Sequence, residues 1–122
     1  MMQKIVFKSG SDEGKSVYLD DELYLGRFSK KDKKNPCNVF IKDIEVSRRH
    51  LRIFKSDGHV YLQDLNSTNG TSLQGIKIRP GIVYSIKNAD QILLGATVVE
   101  FLTDTEEQND EEKRFHFYKR AN

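Results

Sequence analysis

The chain has 122 residues, of which 37% are hydrophobic and 31% are charged. This length and composition predict one soluble globular domain, and no stretch approaches the roughly 18 consecutive apolar residues of a membrane-spanning helix. The net charge of +2 argues against a dedicated nucleic-acid-binding domain, because such domains usually carry a strongly basic face.

The single cysteine, Cys37, excludes an internal disulfide and suits a reducing compartment. The apolar run in MMQKIVFKSG is too short for a secretory signal, so we expect an intracellular protein, either nuclear or cytoplasmic. Without export, the NST and NGT tripeptides that begin at Asn66 and Asn69 are not expected to be glycosylated.

Period-two patterning dominates the chain from its start to Leu102. In chain order the segments are KIVF, SVYL, ELYLG, NVFI, LRIFK, HVYLQDL, VYSI, QILLG and TVVEFL, all rich in β-branched or aromatic residues. Turn sequences such as KSDG, RPG and KNAD separate them, and no window before residue 103 shows the spacing of an amphipathic helix. The pattern predicts an all-β sandwich or barrel over residues 3–102.

Residues 103–122 have a different composition. TDTEEQNDEE is acidic and without apolar periodicity, so it is predicted to be a linker or tail. The terminal RFHFYKRAN brings aromatic and basic residues back. This segment could dock on the domain, lead into a further domain, or form a short interaction motif, and the sequence does not decide among the three.

The polar residues do not form a recognisable catalytic or metal-binding pattern. Ser47 and His50 in SRRH lack the spacing and the strand-to-helix elbow of a nucleophile site. His59, His116 and Cys37 are not spaced as metal ligands, and there is no GxxxxGK phosphate loop. We therefore predict no enzymatic activity, no metal and no cofactor, and we expect His50 to be a buried histidine with a hydrogen-bond partner.

Three polar groups lie at strand ends, where the loops of a sandwich gather into a binding edge. Gly26-Arg27 follows ELYL, SRRH precedes LRIF, and NSTNGT (Asn66 to Thr71) follows HVYLQDL. Together they offer guanidinium, hydroxyl, amide and backbone N–H donors, which suit a phosphate dianion.

NSTNGT also contains a turn signal. Asn69-Gly70 predicts a tight β-hairpin with positive φ at both residues. Its neighbours Asn66, Ser67 and Thr71 are expected to hold the loop by local hydrogen bonds.

The ordered set LGR (25–27), SRRHL (47–51), DLNSTNGT (64–71) and QILLG (91–95) resembles the forkhead-associated (FHA) domain family. Each motif is weak alone, but the series on an all-β background is specific. The resemblance implies a β-sandwich of about eleven strands, with loops at one end that bind phosphothreonine-containing peptides. It also implies signalling through phosphorylation-dependent protein–protein interaction. Family members often belong to larger kinases or nuclear factors, including DNA-damage proteins, so the chain could be a fragment.

The resemblance also implies residue roles. Arg27 would grip the phosphate, Ser47 would add its hydroxyl and backbone N–H, and Arg48 would make a further contact to phosphate or peptide. Thr68 would line the place of the phosphothreonine methyl group, and Asn69 would hydrogen-bond the peptide main chain. Three residues would shape the loops without touching the ligand: Gly26, His50 and Gly70.

Several alternatives stay open at this stage. The fold could serve as a scaffold that recognises an unphosphorylated surface, or the lysines of FSKKDKKNP (Phe28 to Pro36, the basic loop) and FHFYKR could bind nucleic acid weakly. The basic loop could instead speed capture of acidic phosphopeptides, or could be only a solvated loop. Phosphorylation of Thr103 or Thr105 could drive self-association. Glu45 and Arg48 favour opposite peptide charges, so no peptide sequence preference is predicted.

Overall fold

The computed structural model describes residues 2–104 and 117–118. These residues contain strands and loops and no helix, so none of their segments is a helix that could cross a membrane. The strands are β1 (Gln3–Phe7), β2 (Ser16–Tyr18), β3 (Glu22–Arg27), β4 (Val39–Ile41), β5 (Leu51–Ser56), β6 (His59–Asp64), β7 (Thr71–Leu73), β8 (Ile76–Lys77), β9 (Val83–Ile86), β10 (Gln91–Leu94), β11 (Thr97–Thr103) and β12 (Phe117–Tyr118).

The strands form two six-stranded sheets. One sheet has the order β2-β1-β11-β10-β7-β8, and the other has the order β12-β9-β6-β5-β3-β4. All neighbours pair antiparallel except β3 and β4, which are parallel. The prediction of an all-β sandwich with about eleven strands is confirmed, since β1 to β11 make up the sandwich.

Alternation along the strands places the core between the two sheets. In β1 the buried residues are Gln3, Ile5 and Phe7, and the residues between them are half-buried. Leu51 and Ile53 of β5 are fully buried in the same way, as the period-two pattern predicts. Burial of this alternating apolar set is what stabilises the sandwich.

The strand register brings the end of β3, the start of β5 and the end of β6 together at one edge of the sandwich. Leu25 of β3 lies opposite Leu51 of β5, which lies opposite Asp64 of β6. Because these neighbours are antiparallel, the end of β3, the start of β5 and the end of β6 lie side by side. The polar groups that the sequence placed at strand ends therefore meet at a common edge.

The predicted hairpin at NSTNGT is wrong. β6 pairs with β5 and β9, whereas β7 pairs with β8 and β10 in the other sheet, so this segment crosses between sheets. Positive φ occurs at Asn66 (61°) and Gly70 (82°) and not at Asn69. Two other pairs form tight turns with two positive φ angles: Asp57-Gly58, which joins β5 to β6, and Gln74-Gly75, which joins β7 to β8. The Asn-Gly signal was misleading because sheet membership depends on long-range pairing.

The C-terminal segment is described at two residues only. The backbone of Phe117–Tyr118 pairs antiparallel with Tyr84 and Val83 of β9. This part of RFHFYKRAN docks on the domain, which was one of the three alternatives. Thr103 ends β11 opposite Gln3, and Thr105 lies outside the described residues.

Candidate functional site

Arg27 is the last residue of β3 and is held against the segment from Lys42 to Arg49, called here the serine loop. Its Nη1 donates to the Val46 carbonyl oxygen at 2.9 Å, and its backbone N–H donates to the Ser47 carbonyl oxygen at 3.0 Å. The side chain is half-buried. These two bonds orient the guanidinium beside Ser47 and leave other N–H groups of its fork for a ligand.

Ser47 links the serine loop to the NSTNGT segment. Its Oγ accepts the Thr68 backbone N–H at 2.9 Å, and its own N–H donates to His50 Nδ1 at 2.9 Å. The hydroxyl hydrogen can therefore be donated to an anion while Oγ accepts from Thr68. The Ser47 N–H, which the resemblance assigned to phosphate, is used within the loop in this structure.

His50 is fully buried and joins the serine loop to the NSTNGT segment. Nδ1 accepts from Ser47, so Nε2 carries the hydrogen and donates to the Gly70 carbonyl oxygen at 3.0 Å. Burial lowers the pKa of the imidazole and favours this neutral form, although the Gly70 bond and the charges of Asp64 and Asp43 act in the opposite direction. The expectation of a buried, hydrogen-bonded histidine is confirmed.

Asp64 organises the NSTNGT segment from inside the protein and was given no role in the sequence analysis. Its fully buried carboxylate accepts the Ser67 backbone N–H at 2.9 Å, the Ser67 hydroxyl, and the Thr71 hydroxyl at 2.6 Å. The expected local hydrogen bonds of Ser67 and Thr71 are therefore present. An acid followed three residues later by serine is the signal that could have identified it.

Thr68 and Asn69 are exposed at the edge of the site. The Asn69 side-chain amide donates to the Glu45 carbonyl oxygen at 2.9 Å, which is a second link between the NSTNGT segment and the serine loop. Thr68 is held beside Ser47 by its backbone N–H, which donates to the Ser47 hydroxyl oxygen. Thr68 and Asn69 are, with Asn66, the exposed residues of a segment that His50 and Asp64 fix from the protein interior.

Gly26 allows the serine loop to pack on β3. A Cβ at this position would lie 2.6 Å from Cys37 Sγ and closer still to the Arg48 carbonyl oxygen. The same carbonyl accepts from the Asn35 side chain at 2.7 Å, so it cannot move freely. Gly70, by contrast, is needed for its φ of 82°.

The Arg48 side chain is paired with an acid of the basic loop. Its Nε and Nη2 donate to the two carboxylate oxygens of Asp32, in the basic loop. Asp32 was not among the predicted site residues, because no local pattern links two residues 16 positions apart. Of the five predicted contact residues, the structure thus brings together Arg27, Ser47, Thr68 and Asn69 on hydrogen-bonded loops, and it pairs the side chain of Arg48 with Asp32. Among the described residues, no cluster of His, Cys, Asp and Glu could hold a metal ion.

The sequence model of the FHA domain matches residues 23–95. This chain belongs to the FHA domain family. The match includes every residue of the edge described above, from Arg27 to Gly70. FHA domains are binding modules for phosphothreonine peptides, and the fold and the family predicted from the sequence are confirmed.

Two curated relatives are longer proteins than this chain. The chain is 32% identical over 79 residues to a probable E3 ubiquitin-protein ligase, dma1, of Schizosaccharomyces pombe, covering 61% of this chain and 30% of that protein. It is 30% identical over 106 residues to the FHA domain-containing protein At4g14490 of Arabidopsis thaliana, covering 83% of this chain and 26% of that protein. The chain therefore spans about a quarter to a third of the length of these relatives.

A solved FHA domain with phosphothreonine-dependent interactions is similar in structure. It superimposes with a TM-score of 0.72 at 25% sequence identity, over 87% of this chain and all of that domain. The similarity extends to both sheets, since it covers most of the strands described above.

Proposed function

We propose that this FHA domain binds partner proteins at a phosphorylated threonine, and that the ligand lies on the edge formed by Arg27, Ser47, Thr68 and Asn69. The observation that carries the proposal is that Arg27 is bonded to Val46 and Ser47 through its guanidinium and its backbone N–H, on loops that buried His50 connects. The interaction with the partner would then depend on whether the partner's threonine is phosphorylated.

The chemistry of the two groups fits a phosphate. A phosphothreonine carries a charge of about −1.5 to −2 and three acceptor oxygens. Arg27 offers a planar fork of donors and is already oriented by Val46, so little freedom is lost on binding. Charged hydrogen bonds contribute about 1.5–3 kcal/mol each, offset by desolvation of the dianion. The expected affinity is modest and suits reversible signalling.

An oriented phosphothreonine peptide library tests this function directly. The wild-type domain should retain phosphothreonine peptides and release them when the phosphate is removed. Arg27→Ala should weaken the best peptide by more than about 100-fold, since it removes a bidentate charged contact, and should leave thermal unfolding almost unchanged. Arg52→Ala is the matched control, because Arg52 pairs with Glu22 in the neighbouring strand. Retained binding by Arg27→Ala would exclude the assigned role of Arg27.

Two other functions can be distinguished from phosphopeptide binding by simple binding measurements. A phospho-independent scaffold would bind the unphosphorylated peptide equally well, and its affinity would not need Arg27. Weak nucleic-acid binding through the basic loop would show a steep salt dependence with generic DNA. The phosphate-directed arrangement of Arg27 and Ser47 favours the phosphopeptide over both.

The partner is proposed to be an intracellular protein, nuclear or cytoplasmic, because protein kinases supply its phosphothreonine. A second copy of the chain is one candidate, through Thr103 or Thr105. Thr103 is paired with Gln3 and its N–H donates to Asn88, so a kinase would have to unpair the end of β11 to reach it. Sizing before and after kinase treatment tests self-association; an unchanged monomer would rule it out. Fractionation of the source cells tests the location.

A further inference from the structure

Asp32 is the only acid in the basic loop, FSKKDKKNP. Its carboxylate receives two hydrogen bonds from the Arg48 guanidinium, one of them 3.1 Å long from Nη2. Arg48 immediately follows Ser47, which belongs to the edge proposed above to bind the phosphate. A carboxylate is thus bound to an arginine next to the position proposed for a phosphate.

The basic loop presents Asp32 from a defined backbone. The Asn35 side chain donates to the Arg48 carbonyl oxygen at 2.7 Å and accepts the Cys37 N–H at 3.1 Å. Asn35 and Cys37 are buried, and the Asp32 N–H donates to the Ser29 carbonyl oxygen at 3.3 Å. The loop is therefore packed against the backbone of Arg48 as well as against its side chain.

The environment of Asp32 is set by two arginines. The pKa of its carboxyl is lowered, first by the hydrogen bond from Arg48, and the charge of Arg27 lowers it as well. The carboxylate accordingly lies within the field of Arg27, the residue proposed to grip the phosphate. The side chains of Arg48 and Asp32 are 48% and 25% exposed, so the pair can open without disturbing the core.

We propose that Asp32 is an internal competitor for Arg48, and that Arg48 is exchanged from Asp32 to the anionic ligand when a phosphothreonine peptide binds. This inference rests on the proposed function. Asp32 then limits affinity in the wild-type domain and keeps a second guanidinium from engaging weaker anions. Asp32 is a positioning residue, since it acts through Arg48 and does not itself contact the ligand.

The balance of charges favours the exchange. An exposed ion pair contributes little, because both partners are well solvated and hold their side chains at an entropic cost. A phosphate dianion carries more charge than a carboxylate and forms stronger charge-assisted bonds with a guanidinium. The ligand therefore displaces Asp32 from Arg48. The net affinity is reduced by the free energy needed to open the Asp32–Arg48 pair. Removing Asp32 should strengthen binding by about two- to fivefold.

The experiment is a double-mutant cycle with the peptide that the wild-type domain selects from the phosphothreonine library. The variants are Asp32→Asn, Arg48→Gln and the two combined, with affinity measured by titration calorimetry. Glu22→Gln is the matched control, since it removes the same charge from an arginine pair, with Arg52, at the opposite end of β3. Asp32→Glu keeps the charge and should stay close to the wild type.

Competition for Arg48 predicts a specific pattern. Asp32→Asn should tighten binding two- to fivefold, and this gain should vanish in the Arg48→Gln background. The Arg48 Nε–H resonance in NMR spectra should shift on adding peptide to the wild type towards its position in peptide-bound Asp32→Asn. A gain that persists without Arg48 would show a general charge effect and overturn the proposal. A loss of affinity in Asp32→Asn would overturn it too, because Asp32 would then be orienting Arg48 towards the ligand.

Failure of this inference differs from failure of the proposed function. If the wild type binds phosphothreonine peptides and Asp32→Asn binds them equally well, only the competitor role is wrong. If neither the wild type nor Asp32→Asn selects any phosphothreonine peptide from the library, both are wrong. If Asp32→Asn alone selects such peptides, the competitor role is supported in its strongest form.

Discussion

Asp64 and Asp32, two of the aspartates that hold the loops around the candidate site, do so in different surroundings. Asp64 is fully buried at the end of β6 and accepts from Ser67 and Thr71, within seven residues of itself. Asp32 lies on the basic loop and pairs with Arg48, 16 residues away, where both side chains are partly exposed. Asp64 shapes the NSTNGT segment from the protein interior, and Asp32 restrains the Arg48 side chain at the surface.

The difference follows from solvation. Donors left without an acceptor inside a protein have no water to replace it, so loss of Asp64 is costly. Arg48 without Asp32 is simply hydrated, so loss of that pair is cheap for the fold. The buried aspartate therefore acts on stability, and the exposed one is free to act on binding.

The largest expected effect is on stability at Asp64. Asp64→Ala leaves the Ser67 N–H and the buried Thr71 hydroxyl without their acceptor and should lower the free energy of unfolding by about 3 kcal/mol. Asp32→Ala should lower it by less than about 0.5 kcal/mol. Urea denaturation of both variants measures the contrast. Equal losses would show that burial does not distinguish the two aspartates.

A smaller effect is expected from protonation of His50, the buried link between the serine loop and the NSTNGT segment. Burial holds its pKa below the unfolded value of about 6.5. The unfolded chain then takes up this proton first, so the stability contributed above pH 6.5 is lost as the pH falls below it. The loss cannot exceed about 1.4 kcal/mol per pH unit. Unfolding measured between pH 7.5 and 5.5 should show this decline.

His50→Gln provides the control for that measurement. The variant lacks the ionisable ring, so its stability should be lower but flatter over the same pH window. Exposed His59 is present in both proteins and cancels in the comparison. A pH slope that is unchanged by the substitution would assign the decline to another group.

The smallest expected effect is on the association rate and comes from the lysines of the exposed basic loop. Replacing Lys30, Lys31, Lys33 and Lys34 with Gln should slow association with an acidic phosphothreonine peptide a few-fold at low salt, through a weaker attractive field. The difference should disappear near physiological salt, and the midpoint of thermal unfolding should stay the same. Stopped-flow fluorescence measures the rates. The control replaces four lysines elsewhere: Lys4, Lys8, Lys15 and Lys87. Equal slowing in both sets would make the basic loop an ordinary solvated loop.

Local patterns predicted a large part of this domain. Alternation in LRIF and its neighbours placed Leu51 and Ile53 in the core, because each pleated strand puts every second side chain on one face. The order of LGR, SRRHL and NSTNGT identified the family and the edge on which Arg27 and Ser47 meet. These features repeat over two residues or stand in short motifs, so they can be read along the chain.

The partners of the polar side chains could not be read in this way. Period-two patterning does not say which strands pair, so it could not show that NSTNGT crosses between sheets instead of forming a hairpin. The links from His50 to Gly70 and from Asn69 to Glu45 span 20 and 24 residues, and Arg48 turns to Asp32 across 16. The sequence by itself determined the sandwich, its core and which residues are proposed to bind phosphate. Only the tertiary structure decided which hydrogen bonds those residues make, because hydrogen bonds act over a few ångströms between groups that the fold brings together.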